Sequence, residues 1–158
     1  MNSLKKDIWD SKLDADMNVR YWSSLARRYN KREKAYKIFL GIMASGTVAS
    51  WNIWSEIQIV WKLLSGISAL MAIALPILNW SKMIQNTTNV AQKWHQIKID
   101  YEIIWFSLNH GKSEDLIIEE FINTKKKEVL ASKEEADLPV KTKLLEKCYN
   151  EVLKSTGL

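Results

Sequence analysis

Residues 38–55 read IFLGIMASGTVASWNIWS and residues 63–81 read LLSGISALMAIALPILNWS. Neither stretch, of 18 and 19 residues, holds an ionisable side chain. A helix rises about 1.5 Å per residue, so each comes close to the roughly 30 Å hydrocarbon core of a bilayer. The pair predicts an all-α membrane protein built around a two-helix transmembrane hairpin at residues 38–81, with spans near 38–55 and 60–81. An N-terminal cytosolic amphipathic helix (1–37) and a C-terminal cytosolic helical region (82–158) flank it.

Charge supports this layout. The chain carries a net +5, and its mean hydropathy of -0.22 averages two very apolar stretches with polar flanks. Arg27, Arg28, Lys31, Arg32, Lys34 and Lys37 place six cations in the eleven residues before Ile38, against one acid, Glu33. Next to a span, such a cluster reads as a contact with lipid headgroups and a topology signal rather than a nucleic-acid site. The outer flanks add Lys82, while the connecting segment offers only Lys62, so both termini are expected on the cytoplasmic side. Trp51, Trp54 and Trp61 gather where the stretches meet, and Tyr36 and Trp80 stand at their other ends, as interfacial belts would. With Arg27, Arg28, Lys31 and Arg32, Trp51, Trp54, Trp61 and Trp80 are the expected headgroup anchors.

Small residues recur four apart at Gly41, Ser45 and Ala49 and again at Ser68 and Ala72. This spacing allows close helix approach in lipid, where apolar area alone drives little association. Ser45, Ser65 and Ser68 are polar as well. They serve either interhelical hydrogen bonds or a weakly polar lining when several hairpins surround an axis.

The flanking segments are helical by pattern. Leu4, Ile8, Ser11, Ala15, Asn18, Trp22, Leu25 and Tyr29 follow a 4-3-4-3 spacing in a helix expected to run unbroken into the first span. Met83, Thr87, Val90, Trp94, Ile97, Tyr101, Ile104 and Leu108 form nearly four heptads, which predicts a helix interface within or between chains. Val90, Trp94, Ile97, Tyr101, Ile104 and Leu108 are the expected oligomerisation residues. Gly111 is placed to close that helix and Ser113 to cap the next. The next helix carries Leu116, Ile117, Phe121 and Ile122 and is expected to dissolve in the polar run 125–137, with 130–137 as a flexible joint. A last helix is expected from Asp137 and Pro139, with the stripe Val140, Leu144, Leu145, Cys148, Val152 and Leu153.

Catalytic signals are missing. His95 and His110 lie fifteen residues apart without a carboxylate or thiol at metal-ligand spacing. The sequence has no glycine-rich phosphate loop or nucleophile elbow. Cys148, the single cysteine, allows no internal disulfide and reads as a small core residue. Neither an enzyme nor a cofactor is expected, and the charged stretch before Ile38 is too long for the leader of a signal peptide.

A helix rich in arginine and aromatics leads into two spans, followed by the run Trp94-His95-Gln96-Ile97-Lys98-Ile99-Asp100-Tyr101 and a terminal segment from Asp137-Leu138-Pro139. Between about Val19 and Leu153 this arrangement resembles the SLATT proteins, two-transmembrane effectors associated with bacterial nucleotide-signalling and other conflict systems. The resemblance implies an antiphage effector of the bacterial inner membrane that perforates or depolarises it and arrests the infected cell (abortive infection). It brings no catalytic residues. The sequence shows no fused sensor, so activation would come from a separately encoded signalling protein or from assembly itself. One hairpin encloses no conduit, so a homo-oligomer is required. A phage holin-like pore former and a non-conducting scaffold that tethers a cytosolic partner are the alternatives.

Overall fold

The computed structural model describes residues 2–49 and 58–157, with side chains throughout except at positions 2, 45–49, 58, 60, 61, 75 and 76. Among the described residues the chain is all-α: α1 (Asn2–Ala49), α2 (Gln58–Leu78), α3 (Trp80–Asn109), α4 (Glu114–Glu135) and α5 (Thr142–Thr156), with no strand. It divides into two compact units, one of Met1–Ala26 with Asn86–Leu158, the other Arg27–Gln85. The division falls within α1 and α3 rather than at helix ends, because the packing partners change along each helix. The first half of α1 thus belongs to the same unit as the C-terminal helices.

In the first unit, α1 turns Ile8, Ser11, Ala15, Trp22 and Leu25 inward, all at or below 5 % exposure. These are positions of the expected stripe. From α3, Thr87, Val90, Trp94, Ile97, Tyr101 and Ile104 are buried. The heptad seam is therefore closed inside one chain, and Leu108, at its end, is half-buried. Val90, Trp94, Ile97, Tyr101 and Ile104, the expected oligomerisation residues, are thus buried within a single chain.

Corrections concern helix ends. The second apolar stretch is not one helix through to Ser81: α2 stops at Leu78, and Asn79 takes a left-handed backbone (φ 42). Asparagine tolerates that conformation better than most residues. The Asn79 carbonyl then accepts the Met83 N–H at 3.2 Å, opening α3. Helix α3 closes as expected, at Asn109 with Gly111 left-handed (φ 78). Ser113 sits at the N-cap of α4, but its hydroxyl makes no capping bond. The polar run does not dissolve, because α4 continues to Glu135. Its inner face is Ile117, Phe121, Thr124, Glu128, Ala131 and Glu135, a 4-3-4-3 stripe in which polar residues hold half the positions. Leu116 and Ile122, also apolar residues of this helix, are 49 % exposed. The last helix starts not at Asp137 but at Thr142, after an extended Lys141. Leu138 is buried and Val140 exposed, whereas Leu144, Cys148 and Val152 form the buried stripe.

Candidate functional site

The polar residues within the first unit were not legible as a group. Glu135 Oε1 accepts the indole N–H of Trp22 at 3.0 Å and also that of Trp94. One carboxylate from α4 thereby satisfies buried indoles from α1 and α3. Burial pushes the Glu135 carboxyl above its ordinary pKa, and the indole N–H groups offset part of that shift. One heptad earlier, Glu128 Oε1 accepts the Tyr101 hydroxyl at 2.7 Å, and burial with the neighbouring carboxylate raises the phenol. Asp16 meets Lys98 at 2.8 Å and Arg20 at 2.9 Å. Burial pushes Asp16 upward, yet the two cations outweigh it and the carboxyl ends below its usual value. The Tyr21 hydroxyl accepts the Lys141 N–H at 2.8 Å and holds the turn before α5.

These contacts cross-link helices and surround no reactive group. His95 and His110 are exposed, and His110 stacks on Phe106 at 3.8 Å. The Cys148 thiol is buried, and burial raises its pKa, which disfavours the reactive thiolate. Among the described residues no group of three or more His, Cys, Asp or Glu side chains could hold a metal ion.

The Glu135 contacts give a measurable expectation. Its raised carboxyl means the folded state favours the protonated form. The associated stability is full below the unfolded value of about 4.3 and is lost as pH rises through the folded value. Glu135→Gln keeps an acceptor and removes the charge. It should melt at or above the wild-type temperature at pH 7, with the difference narrowing towards pH 4. Glu135→Ala strands two indole N–H groups and should cost about 2–6 kcal/mol, at roughly 1–3 for each orphaned donor. Thermal melts of the three proteins by circular dichroism check both.

The second unit has a different character. Tyr36 is buried, its hydroxyl donates to the Met71 carbonyl of α2, and its ring meets Trp80 edge-on at 5.3 Å. Tyr36, Leu40 and Met43 form the inner face of α1, while Leu64, Ser68, Met71 and Ala74 are the half-buried positions of α2. Outward, the surface is apolar. On α2, Ile59, Leu63, Leu70, Ile73 and Ile77 are between 63 % and 77 % exposed, and Ile38 and Ile42 on α1 are similar. A contiguous exposed apolar surface of this kind marks a partner or a membrane in a natural protein.

Between α1 and α2 lies an open groove of about 370 Å³ lined by Leu40, Met43, Ala44, Ser65, Ser68, Ala69 and Ala72. Three of the expected close-packing residues, Ser65, Ser68 and Ala72, therefore line a cleft. The Ser68 hydroxyl bonds to the Leu64 carbonyl of its own helix at 2.8 Å, not to the neighbouring helix. Gly41 is also not at a close approach, since a Cβ there would meet nothing within 4 Å. The side chains of Ser45, Ala49 and Trp61, and all of Trp51 and Trp54, lie outside the described residues.

At the end of the unit marked by Tyr36 and Trp80, Arg27, Arg28, Lys31, Arg32, Lys34 and Lys82 are exposed. Glu33 accepts the Ser81 hydroxyl at 2.6 Å and pairs with Lys37 at 2.9 Å, and these two contacts hold its carboxyl below the usual range.

Among the described residues no helix is long and apolar enough to cross a membrane. The described side chains of α2 are interrupted at positions 60, 61, 75 and 76, and the stretch 38–55 extends into residues outside the described set. No family model, curated protein or solved structure matches the chain.

Proposed function

We propose that the Arg27–Gln85 unit lies in a bilayer, and that several copies assemble through it to breach the membrane as an antiphage effector triggered by a separate partner. The protein would sit in the bacterial inner membrane with both termini in the cytoplasm and would need no cofactor. The observation that carries this reading is the outward stripe of isoleucine and leucine on α2. Such a surface on a two-helix unit has no stabilising environment in water. Helix α2 has 21 residues, which span about 30 Å, and its one ionisable residue is Lys62, placed to snorkel from one end. The defence role rests on the SLATT resemblance alone.

Assembly passes to the groove, because the seam of α3 is occupied. Ser65, Ser68, Ala69 and Ala72 on its α2 wall, with Ala44 opposite, let a helix from another copy come close, which is how helices associate in lipid. Reconstituted protein should release carboxyfluorescein from vesicles at high protein-to-lipid ratio. Ala69→Trp, which fills the groove, should cut the release about tenfold, equivalent to 1.4 kcal/mol of lost association. Vesicles that stay sealed at densities where the protein is oligomeric would favour the non-conducting tether instead.

A further inference from the structure

The exposed face of α1 changes chemistry abruptly. Lys31, Lys34, Ile38 and Ile42 recur in steps of three and four, so they share one side of the helix. Arg28 and Arg32 flank the cationic half, and all four cations are exposed. Ile38 and Ile42 are 63 % and 62 % exposed. This face is not the one that lines the groove, which uses Leu40, Met43 and Ala44. Within the described part of the unit the single acid is Glu33, already engaged by Lys37 and Ser81. The described part of the unit therefore leaves Arg28, Lys31, Arg32 and Lys34 without an acid of their own, the last of them one turn from an exposed aliphatic pair.

We propose that this face is a binding site for an anionic phospholipid, its phosphate held among Arg28, Lys31, Arg32 and Lys34 and an acyl chain laid along Ile38 and Ile42. The inference rests on the membrane reading above and adds selectivity to it. Charge complementarity names the occupant: clustered cations attract an anionic headgroup far more than a zwitterionic one, whose own ammonium cancels the phosphate charge. The adjoining isoleucines distinguish a lipid from free phosphate, which would gain nothing from them. Arginine can also bind phosphate through two parallel N–H bonds.

The test uses the full chain in neutral detergent micelles, melted with increasing phosphatidylglycerol or phosphatidylcholine. Binding to the folded state raises the melting temperature in proportion to affinity. Phosphatidylglycerol should stabilise the protein and phosphatidylcholine should not, and 0.5 M salt should weaken the effect. The combined substitution of Arg28, Lys31, Arg32 and Lys34 by Gln should weaken the apparent affinity by about two to three orders of magnitude, since each cation near an anionic surface contributes about fivefold. Lys143→Gln, at an exposed cation of α5 outside the cluster and outside the membrane unit, should leave it unchanged. Equal stabilisation by both lipids, or full retention by the fourfold variant, overturns the site and leaves the membrane reading standing. A chain that stays monodisperse in buffer without detergent overturns both.

Discussion

Ile97→Asp should abolish the cooperative melting of the Asn86–Leu158 helices with the first half of α1. Ile97 is 2 % exposed on the inner face of α3, in line with Trp94, Tyr101 and Ile104. An unpaired carboxylate there loses its hydration and gains no partner, while the aliphatic contacts vanish. The combined cost exceeds about 4 kcal/mol, the range reserved for core charges and cavities. A small domain has a total stability of about 5–15 kcal/mol, so little or nothing would remain. Ile103→Asp provides the control, because Ile103 is 54 % exposed on the same helix. It should change stability by less than about 0.5 kcal/mol. Limited proteolysis and circular dichroism of both variants in detergent separate two meanings of the heptad seam. If the seam joined separate chains, Ile97→Asp would yield a folded, protease-resistant monomer. The packing within one chain predicts unfolding and rapid cleavage instead.

Leu70→Arg should remove the protein from the membrane fraction. Leu70 lies near the middle of α2 and is 70 % exposed. If water surrounds that position, the substitution is an ordinary surface change worth less than about 0.5 kcal/mol. If lipid surrounds it, an arginine at the centre of a span costs about 2.5–3.5 kcal/mol on insertion scales. That amounts to about a hundredfold against insertion. Fractionating cells that express either form, with a carbonate wash, reads the difference. Leu70→Ala, which keeps the helix apolar, should remain with the membrane.

The parts of this architecture that were legible in the sequence share one property: most of their buried positions are apolar, with Ser11 and Thr87 as the polar members. The stripes of α1 and α3 could be read residue by residue because Ile8, Ala15, Trp22 and Leu25, then Val90, Trp94, Ile97 and Ile104, keep helical spacing. The second half of α4 hid because its inward positions are Thr124, Glu128, Ala131 and Glu135. Their 4-3-4 spacing matches α3, but two glutamates and a threonine look like a solvated run until buried Trp and Tyr donors are seen to need acceptors. The pairing had a faint trace in the sequence, since Glu128 and Glu135 are one heptad apart, as are Trp94 and Tyr101. The break at Asn79 left a fainter one, a lone asparagine between apolar neighbours. Pro139 misplaced the last helix because a proline compatible with a first turn is equally at home in the turn before it. Of the second unit, apolar length and flanking charge were plain in the sequence, whereas the groove was not, because small residues do not declare whether they face a neighbour or an opening.

The most direct test of lipid around α2 is the collision accessibility of nitroxides attached to cysteines introduced at Leu63, Leu70 and Ile77, in protein reconstituted into vesicles. Cys148 is buried and resists labelling. Oxygen concentrates in hydrocarbon and a polar nickel chelate stays in water. All three labels should relax strongly with oxygen and weakly with nickel, with the largest ratio at position 70. Labels relaxed mainly by nickel would place this face in water and contradict the account.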